Sequence, residues 1–290
     1  MISVTHFTDP GCPWAYSASP SLAVLRWRYG AQLQWRLVTI GLTERYEQYV
    51  ERGYSGVRSA QGRQGFRRFG MPLTADVRER PNATARGCRA IHATRLLHPG
   101  RDEAAFRALQ FAWFTTGDLM DEADAIEAAL RRADGVDPAA VVAALDRDDV
   151  TAAYEADRAE ARTAAGSPTE WQGKSAASDG PVRYTAPSVI FRAEDGRSIE
   201  AGGFQPLEAY DVCLANLDRT LERRPPAESA ADAVAAFPDG LTTQEVAAIM
   251  TPDLQPVRRD AAERELLAAV GDGALTREAL GDDALWRPAA

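Results

Sequence analysis

Phe7-Thr8-Asp9-Pro10-Gly11-Cys12-Pro13-Trp14-Ala15 decides how the chain begins to fold. Before it, Ile2 to Phe7 is an apolar, β-branched run that reads as a short strand. Asp9-Pro10-Gly11 is a turn. After it, residues 13–30 read as a helix, with Ala18, Leu22, Leu25 and Tyr29 at a spacing near 3.6. Pro13 suits the first helical position, and Pro20 is expected to bend the helix. Residues 33–41 alternate and give a second strand. A β-α-β opening implies a parallel pair with a right-handed crossover.

Cys12 therefore stands where a helix begins. Unsatisfied backbone N–H groups and the positive end of the helix dipole favour thiolate over thiol there. The expectation is an exposed, reactive cysteine with a lowered pKa. The alternative at this position is a buried cysteine in a tight turn. Residue 15, one turn on, is alanine, so no second thiol adjoins Cys12. Cys88 and Cys213 lie among apolar helical residues and read as small packed hydrophobes. His6, inside the first strand, reads as packed. His92 and His98, on or just beyond a helix, read as core or surface residues rather than bases.

Further along, residues 43–82 are polar, arginine-rich and irregular. Candidate helices follow at 83–97, 102–116, 122–134, 138–146 and 149–164, with start signals at Asn82 and at Asp137-Pro138. Residues 166–183 read as a loop. A strand over 187–192 turns at Asp195-Gly196 into a return strand over 197–201, and a helix spans 206–222. Arg224-Pro225-Pro226 breaks the chain, and a small unit with helices near 242–249 and 257–270 closes it. The expected organisation is an α/β domain from 1–42 and 171–224, a helical insertion over 43–170 covering the active cleft, and an appended, winged-helix-like unit over 225–290.

The 290 residues carry a net charge of −9, which argues against nonspecific binding to nucleic acid or to an anionic membrane. In the C-terminal unit Arg258, Arg259 and Arg264 stand among acids, so it lacks a dense basic recognition face. Neither a membrane-spanning apolar run nor a secretory signal is read. Three scattered cysteines fit a reducing cytoplasm better than a disulfide framework. No Cys/His cluster suggests a metal.

The strand, the Phe7-x-Asp9-Pro10-x-Cys12-Pro13-Trp14 motif and the long helix resemble the DsbA-like branch of the thioredoxin superfamily. The resemblance is nearest to FrnE-like and actinobacterial thiol oxidoreductases and extends over the whole chain. It implies a thioredoxin-like α/β fold with a large helical insertion, catalysis by Cys12, and support from Pro13, Trp14 and Ala15. It also implies a cis-proline at Pro187, after Ala186, facing the cysteine. Gly203-Phe204-Gln205-Pro206 matches the family's approach to its last helix. The family's dithiol members carry Cys-x-x-Cys, and Ala15 departs from that pattern. The implied activity is a one-cysteine thiol–disulfide exchange, its mixed disulfide resolved by an external low-molecular-weight thiol such as mycothiol or glutathione, with no tightly bound cofactor. Related kappa-type glutathione transferases and 2-hydroxychromene-2-carboxylate isomerases also lack the second cysteine, so thiol-dependent transfer or isomerisation is the alternative. A non-catalytic protein-binding module is a third. Arg63, Arg67, Arg68, Trp171 and Gln205 are the candidates for binding a thiol or substrate. Partners are a small thiol and a disulfide or small-molecule substrate, with a homodimer left open.

Overall fold

The computed structural model describes residues 1–178 and 180–289. Asp179, in the loop read at 166–183, and Ala290, at the end of the C-terminal unit, lie outside the described residues.

The chain opens as β1 (Ile2–Thr8), α1 (Pro13–Tyr29) and β2 (Leu33–Thr39). The region after β2 is more ordered than its composition suggests. It holds two short helices, α2 (Glu47–Glu51) and α3 (Gly56–Gln64). The Ser55 hydroxyl caps α3 by accepting from Arg58 N. Then come α4 (Ala85–Leu97), α5 (Asp102–Thr115), α6 (Ala123–Leu130), α7 (Pro138–Ala143) and α8 (Asp148–Ala161). Asp137 caps α7 through Ala140 N. Asn82 does not start α4: the helix begins after Thr84, whose hydroxyl bonds Asp9 instead of its own helix.

The stretch read as a loop contains α9 (Pro168–Trp171) and two short strands, β3 (Ser175–Ala176) and β4 (Arg183–Tyr184). The hairpin is β5 (Ser188–Ala193) and β6 (Ser198–Ala201), followed by α10 (Leu207–Leu217), shorter than the pattern suggested. The last segment folds as α11 (Ala230–Ala235), β7 (Leu241–Thr242), α12 (Thr243–Met250), α13 (Arg259–Gly271), β8 (Leu275–Leu280) and β9 (Asp283–Pro288).

The central sheet has the order β2-β1-β5-β6. β1 runs parallel to β2 and antiparallel to β5, which pairs antiparallel with β6. Its apolar residues face α1 and α10: Ile2, Val4, Val189 and Phe191 pack with Leu22, Leu25, Tyr210 and Leu214. On the other side α8 lies against β2, where the buried Asp157 carboxylate accepts from Thr39 N. A larger core joins α4 to α7 and reaches Tyr16 of α1.

The C-terminal unit is a three-helix, three-stranded module with sheet order β7-β9-β8. It is more than an appendage. Ala23, Val24 and Trp27 of α1 share its core with Val246, Leu266 and Trp286. The turn between β8 and β9 reaches the insertion, where Leu73 N donates to Asp282 Oδ1 at 2.7 Å. Buried Arg28 donates to Asp211 of α10 and to Asp253, binding the unit to the sheet domain.

Candidate active site

The turn before α1 is built on Asp9. Its fully buried carboxylate accepts from Gly11 N at 2.9 Å, Leu42 N at 3.0 Å and the Thr84 hydroxyl at 2.9 Å. Burial pushes the Asp9 carboxyl up, against the pull of these donors. Gly11 is dictated by space, since a Cβ there would stand 2.7 Å from Thr84 and 2.8 Å from Trp113. The sequence around Cys12 thus fixes a tight loop between β1 and the first turn of α1.

Cys12 corrects the expectation of an exposed thiolate. It is 7% exposed, and its Sγ donates to the Ala186 carbonyl at 3.1 Å. Burial pushes the thiol up to about 12, outweighing the backbone N–H groups of Ala15 and Trp14 that favour the thiolate. The sulfur sits among Phe7, Val38, Ile40, Tyr184 and Ala186. The helix N-terminus acts in the expected direction, but desolvation is the larger effect. The Ala186-Pro187 peptide, which leads into β5, is cis.

Pro13 occupies the first turn of α1, as expected. Trp14 is 40% exposed, and its ring meets Phe66, Phe69 and Phe204 at centroid distances of 5.0, 5.8 and 5.3 Å. Ala15 is buried. Cys88 is fully buried, its Sγ 3.7 Å from Asp9 Oδ2, while Cys213 is partly exposed on α10. Cys213 is therefore more accessible than Cys12, which position along the sequence did not suggest.

A cavity of about 410 Å³ opens beside Gly11, Pro13 and Trp14. Of the proposed binding residues, only Arg63 lines it. Arg67 pairs with Asp282 of the C-terminal unit, and Arg68 lies over the rings of Trp14 and Phe69. Both line a separate groove between α1 and α12. Trp171 is 78% exposed at the end of a four-residue helix and lines neither space. Gln205 Nε2 donates to Gly202 O and holds the turn before α10. These four were chosen by composition or motif position, whereas the cavity is formed by residues distant in sequence. Tyr54, read from the sequence as either packed under the arginine-rich stretch or lining a pocket, does line it; Arg58, Arg78, Asn82 and Trp113 line it too and were not among the binding candidates. Their one sequence signal was the density of arginine with aromatics after Thr43.

Behind Ala15 lies a smaller cavity of about 200 Å³, lined also by His6 and Gln110. Neither His6 nitrogen has a hydrogen-bond partner. Its ring is packed edge-on against Trp35 and Phe106. Burial, then the Arg26 charge, lowers its pKa to about 3. The folded state thus resists a proton that the unfolded chain accepts near 6.5. His6 contributes stability that is present above pH 6.5 and lost as pH falls toward 3, at up to about 1.4 kcal/mol per pH unit. Urea titrations across pH 3.5–7 should show a shallower pH slope for His6→Phe than for the native chain. Parallel slopes would refute this role. His92 bonds the Thr39 hydroxyl at 2.9 Å and lies 3.3 Å from Asp157, while His98 accepts from Asp137 N. Among the described residues no group of three His, Cys, Asp or Glu is placed to hold a metal, and no helix is long and apolar enough to cross a membrane.

A cysteine between β1 and α1, its sulfur against the carbonyl that precedes the proline-led β5 of a mixed sheet, defines a thioredoxin-like fold. Residues 3–181 match the model of the DSBA-like thioredoxin domain, and the chain belongs to that family. The match ends before β5, and the structure supplies the rest of the sheet.

Among solved structures, the chain resembles a putative protein disulfide isomerase from Nitrosomonas europaea, at 15% identity and TM-score 0.56, over 74% of this chain and 96% of that one. It also resembles a probable DsbA oxidoreductase from Streptomyces coelicolor, at 17% identity and TM-score 0.53, over 79% and 93%. A third likeness is to the cytosolic disulfide reductase DsbM from Pseudomonas aeruginosa, at 18% identity and TM-score 0.50, over 74% and 100%. At these identities the likeness concerns the fold. A search of curated proteins finds no match.

Proposed function

We propose that this chain is a one-cysteine thiol–disulfide oxidoreductase of FrnE-like type, working in the cytoplasm on a disulfide with a small thiol as co-substrate. The observation that carries the reading is the placement of Cys12 immediately before α1, its Sγ 3.1 Å from the Ala186 carbonyl, with Ala15 where a second thiol would stand. In the first step Cys12 loses its proton and its sulfur attacks a substrate disulfide. The Cys12–S–S–R bond forms, the substrate S–S bond breaks, and the second half leaves as a thiolate. An external thiolate then attacks R's sulfur, forming a new disulfide and returning Cys12 with the bonding electron pair. One half of the substrate leaves as a thiol and the other as a mixed disulfide with the external thiol; a second equivalent of that thiol releases it, so two external thiols are oxidised to their disulfide for each substrate disulfide reduced. DsbM has also been solved with GSH, which supports a small thiol in this role, glutathione or mycothiol.

One observation favours a second reading. A protonated Cys12 is a hydrogen-bond donor, which suits holding another molecule's thiolate in a transferase or isomerase. The two separate with Cys12→Ser, assayed alongside intact-mass and peptide mapping of protein purified from its own cytoplasm. Thiol–disulfide exchange lost in Cys12→Ser, with a thiol adduct mapped to Cys12 rather than to Cys213, is the expected result. Exchange that persists without Cys12 would overturn the proposal.

A further inference from the structure

The cavity beside Gly11, Pro13 and Trp14, which Cys12 itself does not line, has an unusual charge balance. Four arginines line it and, among the described residues, no acidic one does; Arg80 is paired with Asp121 and Glu122, which leaves Arg58, Arg63 and Arg78. Among the described residues none of these three has a carboxylate within ion-pair distance, although Asp76, Asp118 and Asp121 lie in the neighbourhood. Arg63 and Arg78 are each 6% exposed. Arg78 donates to the carbonyls of Trp113, Thr116 and Asp118, and Arg63 to that of Asp76. Carbonyl dipoles orient these cations without neutralising them. Arg63 Nε has no partner, and the buried Asn82 Oδ1 on the same wall has none either. Burial lowers the pKa of both arginines, that of Arg78 to about 10, as expected of guanidinium groups short of counter-charge.

The remaining walls are flat and apolar: Tyr54, Phe66, Trp113 and Phe114. The backbone shape is fixed too. A Cβ at Gly56 would stand 1.6 Å from the Arg78 carbonyl, so α3 can approach the segment carrying Arg78 only with glycine there. Polar anchors on an otherwise aromatic cavity of about 410 Å³ match the usual build of a small-molecule site.

We propose that this cavity binds a small organic anion with a flat, unsaturated body, its acid group held by Arg58 and Arg63 and its body lying among the aromatic walls. Arg78 supplies fixed positive charge at the back. The binding stands on the cavity alone. That the anion is the recognition handle of the molecule reacting at Cys12 rests on the oxidoreductase reading.

The test uses the full chain carrying Cys12→Ser, so that binding is measured without thiol chemistry. The probe is 2-naphthoate, followed by calorimetry and by the indole signal of Trp113, with 2-naphthalenemethanol as the uncharged analogue and acetate as the anion without a ring. Saturable 2-naphthoate binding at one site, at least about tenfold tighter than either control, is expected. Arg58→Gln, at an exposed position, should weaken it about tenfold, and Arg63→Gln should do so more strongly. Equal binding of the naphthoate and the alcohol, no saturable naphthoate binding, or unchanged affinity in a folded Arg58→Gln chain would each overturn the inference. None of those results would bear on thiol exchange in the unmutated chain. Conversely, loss of the oxidoreductase reading would leave naphthoate binding intact.

Discussion

Replacing Ala15 with cysteine should convert a slow, thiol-dependent release at Cys12 into a fast internal one. The Ala15 side chain is 2% exposed, and the Ala15 N–H is directed at the Cys12 sulfur. The cavity behind Ala15 leaves room for a sulfur atom. A thiolate at position 15 would attack a mixed disulfide on Cys12 within the first turn of α1, form a disulfide between positions 12 and 15, and expel the labelled thiol. Without added thiol, release from the Ala15→Cys chain should exceed that from the native chain at least about tenfold. Mass spectrometry should show the new disulfide, two hydrogens lighter. Equal, rapid release from both chains would mean that the native protein already has a resolving group. Cys88 would then be the one to examine, because it shares Asp9 with the active loop.

The second large effect lies in the joint between α5 and α12. Glu245 is fully buried. Its carboxylate accepts from Thr242 N at 2.8 Å, closing the capping box of α12, and takes both guanidinium nitrogens of Arg107 at 2.8 and 3.0 Å. Glu245→Ala leaves a largely desolvated arginine without its counter-charge and removes half of the capping box. Breaking a buried pair from one side costs about 3–5 kcal/mol. Chemical denaturation should show that loss. The paired change Arg107→Met with Glu245→Met should recover much of it, since the lone charge is gone. A single variant as stable as the native chain would show that water reaches this joint.

The part of the fold legible in the sequence was the part set by local rules. Asp9-Pro10-Gly11 before Pro13, the alternation over residues 33–41, the Asp195-Gly196 turn and the helical pattern over 242–249 each act within a few residues, and each marks an element where the structure has one. The site was legible at its centre only. Cys12 was found by its place at a helix start, but its burial was missed because the residues packed in its cluster, Val38, Tyr184 and Ala186, are distant in sequence. The arginines could not be sorted for a similar reason. Arg67 is neutralised by Asp282 and Arg80 by Asp121, across long separations, while Arg58, Arg63 and Arg78 have no such partner. Charge pairing between distant segments leaves no mark in local spacing. Neither does the aromatic enclosure of Trp14, drawn from Phe66, Phe69 and Phe204.

Helix α1 is a party wall. One end carries the sulfur, one side closes the central sheet, and Ala23, Val24 and Trp27 on another side belong to the core of the C-terminal unit. Trp27 Nε1 donates to Pro225 O at 2.8 Å, and the Arg224 guanidinium covers its ring, so the seam is bonded as well as greasy. A wall of this kind has no free face on which a mobile module could be carried. The residues after Arg224 are masonry for the thiol helix, so removing them would strip one of its packed sides.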